Sequence, residues 1–86
     1  MVEDEVVAFL KAEHTRRVFL FRFTDGTEVE LSDPWVRVVE DGKRECTATV
    51  VREAPGVKAT AGEALSFTLE DVADVRLSPK GFEYFR

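Results

Sequence analysis

The chain of 86 residues offers one histidine, His14, and one cysteine, Cys46, for chemistry that needs either. A catalytic or metal-bound histidine needs partners, and this pair forms no ligand cluster of the expected spacing. His14 therefore reads as a solvated residue at a helix end. Cys46 would act as a nucleophile only beside a base and an orienting group. It stands between Glu45 and Thr47 inside an apparent strand, where a buried, inert thiol is expected. Asp25, Asp33, Asp41, Asp71 and Asp74 could supply a paired acid and base if one of them were desolvated. Most occupy turn sequences, where Asp bonds to the local backbone, and Asp71 is placed to cap a helical turn. Glu70, Asp71 and Asp74 could gather weakly around a divalent ion, but no EF-hand loop frames them. A Gly-rich phosphate loop, a Walker pattern and a G-x-S-x-G are all missing. The expectation is a protein without catalysis, metal or cofactor.

The basic residues are the other candidates. Lys11, Arg16, Arg17 and Arg22 stand close in sequence against a single Glu13, while Glu63, Glu70, Asp71 and Asp74 share a stretch with no base. Arg16, Arg17, Arg22 and Arg37, with Trp35, could form a surface for an anionic ligand or single-stranded nucleic acid. Alternatively, basic and acidic segments of neighbouring copies meet in an oligomer, or the charges pair within the domain. A net charge of −5 and a pI near 4.8 argue against nucleic acid as the main partner. Trp35 follows Asp33-Pro34 at a strand start. It is either an exposed recognition aromatic or a lid over one end of the core, and the lid is favoured because one Trp buries much apolar area in a small domain.

These side chains must be positioned by one domain, residues 1–86, because the length leaves no room for a second core. Hydrophobic content of 44% with 34% charged residues belongs to a folding chain. A single cysteine suggests a reducing compartment. No apolar run reaches the length of a membrane span. The first residues are acidic, unlike a signal peptide. A cytoplasmic protein is expected.

Phe19, Phe21 and Phe23 alternate with Leu20 and Arg22, and Val29 and Leu31 alternate with Glu28 and Glu30. Both runs carry the strand period of two. The register follows from the loop. A two-residue Asp25-Gly26 loop would set Phe21 against Glu30, with carboxylates on the phenylalanine face. A three-residue loop, Thr24-Asp25-Gly26, with Gly26 in the left-handed position, instead sets Phe21 against Val29 and Phe19 against Leu31. It also sets Arg22 against Glu28 and Leu20 against Glu30. The second arrangement is expected.

Residues 1–15 read as a helical N-terminal segment, with Val6, Phe9 and Leu10 on one stripe over 3–14. A strand through Val6–Leu10 is the rival. Ser32-Asp33-Pro34 marks a corner, since proline cannot donate to a ladder. Trp35–Val39 and Glu45–Arg52 read as strands around an Asp41-Gly42 turn. Residues 54–64 form the one long loop and the expected mobile segment. Leu65, Phe67 and Leu69 alternate as a strand, Glu70–Ala73 reads as one helical turn, and Asp74–Ser78 as a last strand.

The segments FRFTDGTEVEL (21–31) and LSFTLEDVADVRL (65–77) resemble parts of small SH3-like and Sm-like barrels. The first is similar to the opening Sm motif, and the second to the strand, one-turn helix and strand that close an SH3-like barrel. The resemblance covers 24 residues and implies a mainly β fold: a five-stranded antiparallel barrel, with a short N-terminal helix and a one-turn helix before the last strand. The later half has no Arg-Gly dipeptide and no Asn follows the second strand, so the resemblance implies the architecture and not RNA binding. Residues 79–86 form an aromatic C-terminal tail, and Phe82, Tyr84 and Phe85 are expected to pack on this chain or on a copy of it. The function expected is an interaction module that binds a protein partner or itself through a sheet edge or this tail. A nucleic-acid-binding barrel using the arginines is the alternative.

Overall fold

A computed structural model describes residues 2–13 and 17–78. The described chain runs α1 (Glu3–Ala12), β1 (Val18–Phe23), β2 (Glu28–Val38), β3 (Arg44–Arg52), β4 (Ala64–Thr68) and β5 (Val72–Leu77). Short 3-10 turns occupy Glu40–Gly42 and Leu69–Asp71. All strand pairs are antiparallel, in the order β4-β3-β2-β1-β5.

The first hairpin has the bulged three-residue loop. Phe19 pairs with Leu31, Leu20 with Glu30, Phe21 with Val29 and Arg22 with Glu28. The Phe23 N–H donates to the Thr27 carbonyl at 2.8 Å, and the Gly26 N–H to the Phe23 carbonyl at 2.9 Å. Gly26 adopts φ +91°, a region that favours glycine. The Asp25 carboxylate accepts the Thr27 N–H at 2.9 Å, an Asx turn that holds the tip. Phe19, Phe21, Val29 and Leu31 are buried as a result.

Three one-residue bulges then shape the sheet. β5 carries Ala73 as an extra residue between Asp74, opposite Arg22, and Val72, opposite Phe23. That insertion lets Val72 and Val75 both face inward. β3 carries Val51 between Val50, opposite Leu31, and Arg52, opposite Glu30. On β2, three steps from Ser32 to Trp35 match two steps on β3, from Thr49 to Thr47. Asp33 sits at φ 51° in this corner. Ser32-Asp33-Pro34 therefore bends one continuous strand instead of separating two.

The inward faces meet because the sheet curls. β1 and β4 are three strand spacings apart, about 14 Å if the sheet were flat. The rings of Phe21 and Phe67 nonetheless lie 5.3 Å apart, and those of Phe23 and Phe67 4.9 Å apart, edge to face. Helix α1 lays Val6 and Leu10 on the same core, and Phe9 meets Phe19 edge-on at 5.9 Å. Its first turn holds Glu3, Asp4 and Glu5, which suit the positive end of the helix dipole. Arg44 at the start of β3 reaches Glu3 at 3.4 Å and Asp4 at 2.8 Å, tying that turn to the sheet.

The expected barrel reduces to a coarser form: one unclosed, curled sheet of five antiparallel strands with an N-terminal helix. β4 pairs with β3 and β5 with β1, and among the described residues no ladder joins the two. The turn at Leu69–Asp71 connects them, anchored where the Thr24 N–H donates to the Asp71 carbonyl at 2.9 Å. The loop after β3 makes contacts of its own. Gly62 and Val50 are joined at 2.8 Å, and Glu63 bonds Thr60 through both N–H and hydroxyl. Ala54, Val57 and Ala59 pack against the core.

Candidate functional site

Strand β4, the sequence Ala-Leu-Ser-Phe-Thr, ends the sheet on one side. Its alternation follows from its place on the curl. Leu65 and Phe67 lie opposite Ala48 and Cys46 and turn inward, while Ser66 lies opposite Thr47, their hydroxyls 2.9 Å apart. Nothing in these five residues discourages another strand from pairing. There is no charge, no proline and no bulge, the devices by which edges are normally blunted. Charges flank the strand at Glu63 and Glu70 without entering it. The opposite end strand differs: β5 has the Ala73 bulge and carries Asp74 and Arg76.

The corner of β2 builds a second feature. The extra residue there reverses parity, so Val36 faces Cys46 and the core, and Trp35 faces Thr47 on the outer side. Trp35 is 68% exposed and Val38 70%. Trp35 is thus exposed and not the lid over the core that was expected. Beside it lies a groove of about 400 Å³ between α1 and β2, lined by Val7, Leu10, Lys11, Pro34, Trp35 and Val36.

The described arginines of the predicted set, Arg17, Arg22 and Arg37, lie apart. Arg17 precedes β1 and reaches Glu13 at 3.7 Å. Arg22 stands near the other end of β1, about 17 Å along the strand. In register Arg22 has Glu28 on one side and Asp74 on the other, yet it joins none of the ion pairs within 4.0 Å among the described residues. Arg37 lies past the β2 corner and pairs with Glu45 at 2.9 Å. Trp35 and Arg37 share the outer side of β2, and these two are neighbours among the predicted residues that are described. Arg16, Phe82, Tyr84 and Phe85, as well as His14, lie outside the described residues.

Cys46 is buried, and burial pushes its thiol up to about 11. A thiol held that high is a poor nucleophile at neutral pH. Asp25 is lowered by the Thr27 N–H and hydroxyl, and Glu63 by the Thr60 hydroxyl and N–H. Both are local turn contacts. Asp71 accepts the Thr68 hydroxyl at 3.0 Å, an arrangement that stiffens the 3-10 turn. Among the described residues no three His, Cys, Asp or Glu side chains gather to hold a metal ion. No described helix is long and apolar enough to cross a membrane.

The sequence did contain a signal for β4: the alternation of Leu65, Phe67 and Leu69 in a run of six uncharged residues between Glu63 and Glu70. It could not show that this strand ends the sheet. No family model, curated protein or solved structure matches the chain.

Proposed function

We propose that the protein is a small interaction module whose β4 edge accepts an antiparallel strand, and that a second copy of this chain supplies it. The carrying observation is the contrast between the end strands. β5 has a bulge and charges, whereas β4 is straight-paired, uncharged and terminal. Pairing β4 with β4 of another copy gives a two-fold contact in which each edge satisfies the other. Main-chain hydrogen bonds then supply affinity, and the exposed Ser66 and half-buried Thr68 supply the side-chain fit. The order β5-β1-β2-β3-β4, with a 3-10 turn between β4 and β5, is in keeping with an SH3-like or Sm-like architecture. Binding of nucleic acid draws no support from arginines spread over both ends of β1 and the far leg of β2.

Sedimentation of the chain from micromolar to millimolar concentration tests this. A concentration-dependent dimer is expected. Successive strand residues point their N–H groups to opposite sides, so one of Leu65→Pro and Ser66→Pro removes an outward donor and spares the β3 ladder. That variant stays folded and monomeric. A monomer for the unaltered chain at every concentration overturns the proposal.

A further inference from the structure

We infer that the groove between α1 and β2 takes an extended peptide segment of another protein, added as a strand to the far leg of β2. The segment carries apolar side chains at alternate positions and an acidic residue among them. This site is separate from the β4 edge and does not depend on dimerisation.

β2 has two legs. Up to Ser32 it lies between β1 and β3. From Trp35 to Val38 it pairs with β3 alone, because β1 starts at Val18, opposite Ser32. Among the described residues no ladder occupies the other side of this leg. The ladder also fixes where its main-chain groups point. The Val39 N–H donates to the Lys43 carbonyl at 2.8 Å, one step past the pair of Val38 with Arg44. Antiparallel pairs alternate between bonded and non-bonded, so Arg37 bonds toward β3 as Val39 does. The N–H and C=O groups of Val36 and Val38 therefore turn away from β3, toward the line along which β1 would continue.

Helix α1 runs along that same side. Its first turn stands at one end of the leg, where Arg44, opposite Val38, holds Glu3 and Asp4. Its C-terminal end stands at the other, where Glu13 meets Arg17 at 3.7 Å, one residue before Val18. Ten helical residues span about 15 Å and the leg from Pro34 to Val38 about 13 Å, so helix and strand flank the groove along its length. Its lining is apolar at Val7, Leu10, Pro34, Trp35 and Val36, and Lys11 adds a positive charge.

These features choose the occupant. Donors and acceptors on every second residue call for an extended backbone, in the manner of a strand added to a sheet edge. The apolar lining, with Trp35 and Val38 exposed along the leg, calls for apolar side chains at alternate positions. Lys11 favours an acidic neighbour. A second copy does not meet these demands, because its described strands keep their alternating apolar side chains in their own core. Pro34 and Arg37 also discourage indiscriminate pairing along the leg, which leaves selection to the groove.

The test pans a library of random linear heptapeptides against the immobilised full chain. Recovered peptides are expected to carry aromatic or β-branched residues at alternate positions, with an Asp or Glu. A synthetic copy of the most enriched peptide should shift Trp35 emission to the blue and slow hydrogen exchange of the Val36 and Val38 amides. By titration calorimetry, Trp35→Ala should weaken its binding by about tenfold or more, with the far-UV spectrum unchanged. Panning against Lys11→Glu should recover Lys or Arg in place of the acid. Recovery of no peptide overturns the inference. So does a peptide that binds Trp35→Ala equally well, or one that protects the β4 amides instead. Saturating peptide should leave the sedimentation of the chain's own dimer unchanged, so failure at this groove and failure at the β4 edge are read separately.

Discussion

Replacing Phe23 and Phe67 by leucine, singly and together, should reveal a coupling that only a curled sheet permits. The two rings sit 4.9 Å apart at 80°, from strands three positions apart in the sheet. Edge-to-face pairs contribute about 0.5–1.5 kcal/mol beyond the area they bury. Each Phe→Leu change keeps most of the volume, and each should cost about 1.5 kcal/mol or slightly more. The chain should therefore remain folded, because domains of this size hold about 5 kcal/mol or more. Urea unfolding of the four proteins, followed by far-UV circular dichroism, closes the cycle. The second substitution should cost about 0.5–1.5 kcal/mol less once the first is present. Strands about 14 Å apart in a flat sheet would give additivity within about 0.5 kcal/mol. Additive losses would refute the curl and the shared core it creates.

Three further outcomes follow from local geometry. Gly26→Ala places a side chain at φ +91° with nothing within 4 Å of the new Cβ, so only backbone strain acts; the urea midpoint should fall by about 1–2 kcal/mol equivalent, and an unchanged midpoint would contradict the left-handed assignment. Cys46, buried with its thiol raised to about 11, should resist iodoacetamide at pH 8 and react at once in denaturing urea; rapid labelling of the folded protein would show that the strand does not cover it. Glu63 has its carboxyl lowered by Thr60. A group depressed in the folded state stabilises above its unfolded pKa and loses that contribution as pH falls through the folded value. Stability should hence decline as pH drops below the ordinary glutamate range. Glu63→Gln should flatten that acid slope in pH-dependent melts, and an unaltered slope would remove Glu63 from the account.

The first hairpin was legible because its two strands and its loop constrain each other. Only the three-residue loop keeps Phe19, Phe21, Val29 and Leu31 together, and Gly26 is the residue that such a loop requires. Helix α1 was legible for a similar reason, as Val6, Phe9 and Leu10 share one stripe. Trp35 was misread because its face depends on one extra residue at the corner. The strain there falls on Asp33, where no glycine marks it, and a shift of one position turns every later side chain over. Closure of the sheet was beyond the sequence in a different way. Whether β4 meets β5 is settled by pairing across the whole fold, and neither strand's own residues encode it. The exposed edge was visible as a pattern in Ala64–Thr68 but acquired meaning only from its terminal place in the strand order.

Hydrogen exchange of the β4 amides, followed as protein concentration rises, tests the central claim most directly. Half of the N–H groups in Ala64–Thr68 already bond to β3 and should be slow throughout. The outward half should exchange quickly in dilute solution and become protected in step with dimer formation, while β5 amides do not change. Outward β4 amides that exchange at the same rate at every concentration would contradict the account.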